Sequence, residues 1–419
     1  MIVFCVLFFI FGFVTWLNGS LIPFLKIVCN LNDFEALYVT FTFYIAYTLM
    51  AFPMASVLKY TGYRNGMIVG LLIMVIGALL FVPAAYSINY VYFLGALFVL
   101  GTSLTILQTA SNPFVIYLGP KESAAKRIAI MGLINKVAGV AVPIVFSALV
   151  LSDVNNASEF AIIVISEEEI QELSERLIMP YIGMAAVFLL LIGLVYFSKL
   201  PKISDQLEQS NGEDDKESIF QFPQVVLGSI AIFSYLGVEV ISCDTINLYG
   251  STLYMENFSI LTAYTMSFMV VGYIIGVSAI PRFISQSGAL MISAIFGLLC
   301  IFGIIFSSID ETYISEIIWS WAGLAIIPNS VFFVAMVGLA NAIVWPSIWP
   351  LALDGLGKFT AKGSSLLIMG LAGGALIPLS FGRITLVTGD MQFAYAICFP
   401  CYAFILFYAI KGHKIKKWK

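Results

Sequence analysis

Three charged side chains lie inside apolar stretches of the sequence, and they are Lys136, Glu239 and Asp244. On insertion scales an ion at the centre of a membrane helix costs about 2.5–3.5 kcal/mol, so each of these groups needs a partner or a bound proton. Lys136 and Glu239 fit a structural ion pair. They also fit a titrating site, because a buried carboxyl beside a cation can gain or lose a proton when its surroundings change. Both interpretations stay open at this point.

Glu239 and Asp244 are five positions apart, which corresponds to about 140° around an ideal helix. One regular helix therefore cannot direct both carboxyls to the same point. Glu239 shares its helical face with Cys243 and Asn247, and it is the acid most clearly embedded in an apolar stretch. We expect Asp244 to lie nearer to the outer surface, and we keep it as a second candidate.

Uncharged polar residues recur along one face of the stretch near 90–118. They are Gly101, Thr105, Gln108 and Asn112. Their spacing of i, i+4, i+7 and i+11 places them on one side of a helix. This side is too polar for lipid. It forms either hydrogen bonds to a neighbouring helix or the wall of a cavity whose amides bind a polyhydroxylated solute.

Aromatic and amide side chains occur at helical spacing in three other stretches. They are Thr15, Asn18 and Ile22, then Thr40, Tyr44, Tyr47 and Ala51, and then Asn341, Trp345 and Trp349. Aromatic rings suit sugars, because the axial C–H face of a pyranose is apolar while its hydroxyls need amide partners. Core packing and the aromatic belts at membrane interfaces are the alternative explanations.

The sequence lacks the motifs of several other chemistries. It has no G-x-x-x-x-G-K-[ST] phosphate loop and no H-E-x-x-H motif, which bind phosphates and zinc respectively. Its one histidine, His413, lies in the basic C-terminal tail, and its six cysteines have no repeated spacing. Neither a catalytic histidine nor a metal site is therefore indicated. We predict a protein that is not an enzyme, needs no cofactor or metal, and binds no nucleic acid.

The elements that position these residues follow from composition. Of the 419 residues, 61% are hydrophobic and 11% are charged, against about 25% charged residues in a soluble domain. Apolar runs long enough to cross a bilayer as helices lie near residues 1–25, 35–58, 66–84, 90–118, 128–151, 179–198, 223–246, 259–280, 289–308, 330–353, 364–387 and 393–410. The predicted fold class is an all-α membrane protein with twelve transmembrane helices.

The placement of basic residues predicts how these helices are oriented. If the N-terminus is cytoplasmic, the inner loops and the C-terminal tail contain 16 of the 20 Lys and Arg residues. This bias places both termini in the cytoplasm. No basic residue precedes Lys26, so we expect the first helix to be retained and not cleaved as a signal peptide. For the outer loop 152–178, with its six glutamates, we expect a solvated acidic loop, and a short surface helix is the alternative.

Six spans precede and six follow a polar connection at 201–218, which has the composition of a flexible tether. We predict a domain organisation of an N-terminal six-helix bundle at 1–199, a linker at 200–222, a C-terminal six-helix bundle at 223–412 and a basic tail at 413–419.

The two halves also share sequence features. Asn112-Pro113 and Trp345-Pro346 are 233 positions apart, and the Gly-x3-Pro patterns that begin at Gly139 and Gly374 are 235 apart. The matched offsets indicate duplicated halves. In secondary transporters built in this way, the substrate site lies near the bilayer midplane between the repeats.

Five blocks of sequence in both halves carry a family likeness. They are Phe8–Lys26 (FFIFGFVTWLNGSLIPFLK), Gln108–Arg127 (QTASNPFVIYLGPKESAAKR), Asn135–Gly139 (NKVAG), Gly237–Val240 (GVEV) and Trp345–Pro378 (WPSIWPLALDGLGKFTAKGSSLLIMGLAGGALIP). Read together, they resemble the fucose, galactose and glucose proton-symporter family of the major facilitator superfamily, especially its bacterial glucose/galactose transporter branch. The resemblance implies two pseudo-symmetric bundles with alternating access, and import of a hexose with a cation.

The sequence departs from the fucose-type members of this family at two positions. Those members have an acid where Gly19 follows Asn18, and they have Glu where Gln108 stands. The two carboxyls that the family uses for fucose and proton handling are thus absent. Gln108 is typical of the glucose/galactose branch, and Asn135 matches the family's sugar-binding Asn. With both usual sites neutral, Glu239 is the predicted coupling carboxyl.

Residues and resemblance together predict a monomeric importer of a small neutral sugar, of glucose/galactose type, in a bacterial inner membrane and coupled to H⁺ or Na⁺. The predicted substrate-binding residues are Asn18, Tyr44, Gln108, Asn112, Asn135, Asn341 and Trp345. The predicted cation-coupling residues are Glu239, Lys136 and Asp244. A carrier of an amino sugar, an efflux carrier for lipophilic compounds and a transporter-like nutrient sensor are the alternatives, and the amide groups argue against the efflux carrier.

Overall fold

The computed structural model describes residues 2–117, 124–151, 167–198, 219–255, 257–280, 282–322, 324–356 and 359–418. In these ranges, twelve helical stretches are long and apolar enough to cross a membrane. Spans 1 to 6 are Ile2–Val28, Asp33–Ala51, Tyr60–Ser87, Tyr90–Ser111, Arg127–Val150 and Glu167–Phe197. Spans 7 to 12 are Pro223–Asp244, Phe258–Ala279, Gln286–Phe306, Asn329–Leu353, Leu366–Thr388 and Met391–Ile410. The twelve predicted spans are confirmed, and the chain is a multi-pass membrane protein.

Spans 1, 10 and 11 are interrupted along their length, and span 7 is followed after one residue by a further helix. Their pieces are Ile2–Trp16 and Asn18–Val28 in span 1, Pro223–Asp244 and the following Ile246–Thr252 in span 7, Asn329–Asn341 and Val344–Leu353 in span 10, and Thr360–Met369 and Gly373–Thr388 in span 11. Such breaks release backbone groups from the helical pattern, and they are tolerated at membrane depth where protein or a water-filled cavity surrounds them. The breaks in spans 1 and 7 lie close together, since a Cβ on Gly19 would be 3.4 Å from the Cα of Asp244.

The remaining long helices are continuous, and they are Tyr90–Tyr117, Ala124–Val150, Ile178–Phe197, Leu261–Ala279, Gln286–Phe306 and Cys398–Ile410. Spans 2 and 3 belong to one helical stretch, Tyr38–Ser87, which turns at Gly62 with φ of 73° and ψ of 168°. Because residues with a Cβ rarely adopt this φ, glycine makes the tight connection possible.

The acidic connection before span 6 differs from the sequence expectation. A solvated loop was expected over 152–178, but Glu167–Glu175 forms a helix in which Leu173 and Ser174 are buried. Ser174 Oγ donates a hydrogen bond to the carbonyl of Ala85 at 2.9 Å. One buried side of the helix therefore anchors it to span 3, while its glutamates stay on the other side. The preceding residues 152–166, residue 199 and most of the predicted linker, 200–218, lie outside the described residues.

The two six-helix halves repeat the same close helix crossings. A Cβ on Gly101 in span 4 would lie 2.4 Å from the carbonyl oxygen of Phe43 in span 2. A Cβ on Gly338 in span 10 would lie 2.2 Å from the carbonyl oxygen of Thr265 in span 8. Between membrane helices, close packing of small residues replaces the hydrophobic effect as the force that drives association. The crossing of spans 2 and 4 in the first half is thus repeated by spans 8 and 10 in the second half, in agreement with the repeat in the sequence.

The halves contact each other mainly through spans 5 and 8, and through spans 2 and 11. We call the end of the bundle opposite to the chain termini the distal end. There, Asn247 Nδ2 donates to the carbonyl of Gly19 at 3.0 Å, and Ser259 Oγ donates to Ser147 Oγ at 3.0 Å. Both bonds join one half to the other, so the structure holds the distal ends together.

Candidate functional site

A buried ion pair lies at the centre of the interface between the halves. Lys136 Nζ in span 5 is 2.5 Å from Glu239 Oε1 in span 7, and the two side chains are only 8% and 3% exposed. Each charge therefore has a partner on the opposite half. At this depth the pair is stable because each ion offsets the cost of burying the other.

Trp16 places this ion pair beside the predicted sugar-binding amide. Its ring centroid is 4.1 Å from Lys136 Nζ, which is a cation–π contact. Its indole N–H donates to Asn135 Oδ1 at 3.1 Å. Asn135 Nδ2 in turn donates to the carbonyl of Phe8 at 3.4 Å. Trp16, just before the break in span 1, therefore contacts both the cation of Lys136 and the amide of Asn135.

Two tyrosines of span 2 extend the site toward span 4. The rings of Tyr44 and Tyr47 are stacked, with centroids 6.1 Å apart. Gln108 Nε2 donates to the Tyr47 hydroxyl at 3.2 Å. Tyr44 lies within electrostatic range of both Glu239 and Asp244. The tyrosine pair thus connects the amide of span 4 to the two acids of span 7.

The C-terminal half contributes aromatic rings and a further amide. Tyr235 lies one helical turn before Glu239, interacts with it, and has its ring centroid 6.2 Å from that of Trp345. Asn341 Oδ1 accepts a hydrogen bond from the Tyr402 hydroxyl at 2.8 Å. The break in span 10 separates Asn341 from Trp345, so the two do not share one regular helical face as their spacing predicted.

Asp244 lies at the break in span 7, where the regular helix ends. It is fully buried, and Thr40 Oγ1 of span 2 donates to its Oδ2 at 2.9 Å. As the last residue of Pro223–Asp244, it lies farther than Glu239 toward the distal end, but it is enclosed by protein and not exposed there. The helix Ile246–Thr252 continues beyond it, and span 2 packs over its carboxyl.

Several buried polar atoms around span 7 have no hydrogen-bond partner among the described residues. They are both amide atoms of Asn18, the Tyr44 hydroxyl, Asn341 Nδ2, Trp349 Nε1 and Asp244 Oδ1. A buried polar group without a partner costs about 1–3 kcal/mol. These atoms can therefore donate or accept further hydrogen bonds that the neighbouring residues do not provide. The side chain of Asn112 is outside those that the structure describes.

The structure adds Trp16, Tyr47, Thr40 and Tyr235 to the residues predicted from the sequence. Thr40 and Tyr47 belong to the same helical stripe as Tyr44, and Tyr235 is four residues before Glu239. Spacing alone could have included them. Trp16 lies between Thr15 and Asn18 in the sequence, but its bridging position depends on how spans 1 and 5 pack.

Comparison with known proteins places this arrangement in a family. The family model described as Major Facilitator Superfamily matches residues 4–379. The chain belongs to the major facilitator superfamily. A relative named "Glucose/galactose transporter", from Brucella abortus biovar 1 (strain 9-941), is 33% identical over 413 residues, which cover 97% of this chain and 92% of that protein. This match confirms the predicted glucose/galactose transporter branch.

Two further comparisons concern fucose transport. The "L-fucose-proton symporter" of Escherichia coli (strain K12) is 27% identical over 425 residues, covering 97% of this chain and 91% of that protein. A crystal structure of the E. coli fucose:proton symporter matches this facilitator with a TM-score of 0.70 and 24% identity, covering 97% of each chain. This structural likeness confirms the major facilitator fold.

Gly19, next to Asn18, is tightly packed against the C-terminal half. A Cβ on Gly19 would lie 2.8 Å from Thr262 Oγ1 and 2.9 Å from the carbonyl oxygen of Cys243. In this closed arrangement, a carboxyl at position 19 would collide with spans 7 and 8. The small residue instead allows span 1 to approach Asp244, whose Cα is 3.4 Å from the same point.

Proposed function

We propose that this facilitator imports a small neutral sugar of the glucose/galactose type, as a monomer without enzymatic activity or cofactor. The 33% identical relative that carries this name supports the substrate class. The sugar would bind between the halves, in contact with Asn18, Tyr44 and Gln108 on one side and with Asn341 and Trp345 on the other. Asn112 and Asn135 complete the proposed set.

One observation carries this proposal: the buried amide and hydroxyl groups around span 7 that have no partner among the described residues. Asn18, Tyr44 and Asn341 supply both donors and acceptors there. A hexose offers hydroxyls that donate and accept, so it could satisfy all of them without bringing a charge into the site. The aromatic rings of Trp345 and Tyr235 would pack against its C–H face.

We further propose that both termini are cytoplasmic, in a bacterial plasma membrane, so that the distal end faces outward. The excess of Lys and Arg on the side of the termini supports this orientation. Transport would then be driven by an inward gradient of H⁺ or Na⁺. Glu239 is the proposed coupling carboxyl, because its partner Lys136 belongs to the other half. Any change in its charge would alter the attraction between the halves.

A counterflow screen in proteoliposomes tests the proposed substrate. Vesicles loaded with glucose, galactose, mannose, fucose or N-acetylglucosamine are diluted into the labelled sugar, with and without Na⁺ and a pH gradient. We expect saturable exchange of glucose or galactose. Exchange of N-acetylglucosamine alone would favour the amino-sugar alternative. The absence of exchange with every sugar, in protein that remains folded, would contradict the proposal.

A further inference from the structure

A hydrogen bond between the halves holds a second buried carboxyl, separate from the central ion pair. Thr40 Oγ1 in span 2 donates to Asp244 Oδ2 at 2.9 Å. The other oxygen, Oδ1, is buried and has no partner among the described residues. Gly19 of span 1 packs against the backbone of Asp244. The carboxyl is therefore enclosed by two helices of the opposite half.

Among the described residues, no cation interacts with the Asp244 carboxyl to balance its ionised form. The described side chains that interact with it electrostatically are Glu239 and Cys243 on its own span and Tyr44 on span 2. Glu239 has the same sign, and its positive partner is Lys136. Gly19 and Thr40, from spans 1 and 2, are uncharged. An ionised carboxyl in this enclosure would keep the hydrogen bond from Thr40 but would be buried without a counter-ion, whereas a protonated one would be a buried polar group without charge.

We propose that Asp244 is a proton-operated latch, which lets the distal ends close only when its carboxyl is protonated. The proton comes from water that reaches the site while the halves are apart, and it binds Oδ1, the oxygen that Thr40 does not contact. Ionisation of Asp244 then separates span 2 from span 7. The inference rests on the proposed function as a cation-driven importer, and it names H⁺ as an ion that controls one step of transport.

The test measures the separation of the distal ends directly and uses no sugar. Spin labels are attached at Tyr86→Cys and Ile309→Cys, two exposed positions at the distal ends of the two halves, in a Cys5→Ser, Cys29→Ser background. Electron–electron distances are measured in lipid nanodiscs between about pH 5 and about pH 9, a range that brackets the titration of buried carboxyls. We expect a short distance at low pH and a growing population at longer distance as the pH rises.

Four variants decide between the explanations. Asp244→Asn should keep the short distance at every pH, and Thr40→Val should reduce the short-distance population at low pH. Asp390→Asn alters an exposed distal acid and should keep the parent response. Glu239→Gln should keep a pH response. The latch would be overturned if Asp244→Asn responded to pH like the parent, or if Glu239→Gln lost the response while Asp244→Asn kept it. Because no sugar is present, these results are independent of the counterflow screen.

Discussion

The carboxyl of Glu239 can be tested separately from the sugar site, because coupling and exchange are different measurements. In Glu239→Gln, the amide is close in size to the carboxyl but cannot take up and release a proton. We expect gradient-driven accumulation of the sugar to fall to the level of equilibration, while counterflow exchange is retained. Uptake assays in the same proteoliposomes measure both quantities. Glu175→Gln, which alters an exposed acid, is the control, and unchanged accumulation in Glu239→Gln would contradict the role of Glu239.

The ion pair also makes a prediction about stability. Lys136→Ala leaves Glu239 buried without its cation, and removal of one partner of such a pair costs about 3–5 kcal/mol. We expect a clear fall in the temperature of thermal unfolding in detergent. The double variant Lys136→Ala/Glu239→Gln removes both charges and should recover most of the loss. Equal instability of the single and double variants would show that the lysine acts through packing on Trp16 and not through charge.

At the level of single residues, chemistry could be predicted more readily than position. Charges in apolar stretches must find partners, so the sequence indicated the Lys136–Glu239 pair, which the structure contains. The surroundings of Asp244 could not be predicted in the same way. They depend on Thr40, which is 204 positions away in the sequence. They also depend on a break in span 7 at Thr245, where the sequence has no Gly or Pro to indicate a break.

At the level of helices, glycine crossings set how closely the spans approach. Gly101→Ala and Gly338→Ala would each place a Cβ within 2.4 Å of a carbonyl oxygen of the neighbouring helix. Overpacking of this kind costs about 1–3 kcal/mol. We expect both variants to unfold at lower temperature. Gly95→Ala and Gly183→Ala are matched controls, since nothing lies within 4 Å of a Cβ at either position, and there the better helix propensity of Ala should leave stability equal or higher. Equal effects at all four sites would contradict the crossing argument.

Hydropathy was sufficient to predict the number and order of the helices. In a bilayer, a long apolar run can make all of its backbone hydrogen bonds within itself only as a helix. Hydropathy could not predict the breaks in spans 1, 7 and 10, which depend on packing between helices. The helix Glu167–Glu175 was only the alternative to a solvated loop, because its acidic composition gives no sign of the buried side that Ser174 anchors. The polar residues Asn18, Asp244 and Asn341 lie at or next to these breaks, so the missed irregularities shape the candidate site.

At the level of the whole molecule, the halves are joined by polar contacts at two depths. The Lys136–Glu239 pair lies at the centre, and the Asn247–Gly19 and Ser259–Ser147 bonds lie at the distal end. For the halves to separate distally, the bonds at the distal end must break first. These bonds form between residues more than a hundred positions apart in the sequence, so no local pattern reveals which end of the molecule is closed.

A covalent lock at the distal end tests whether transport requires the halves to part there. Ser147 Oγ and Ser259 Oγ are 3.0 Å apart, so Ser147→Cys/Ser259→Cys brings two thiols close enough to form a disulfide upon oxidation. We expect the oxidised protein to lose uptake of the sugar identified by counterflow, and a reductant to restore it. Each single cysteine variant, treated in the same way, should transport like the parent. If the cross-linked protein still transports at the parent rate, the distal ends need not separate, and alternating access through this end would have to be abandoned.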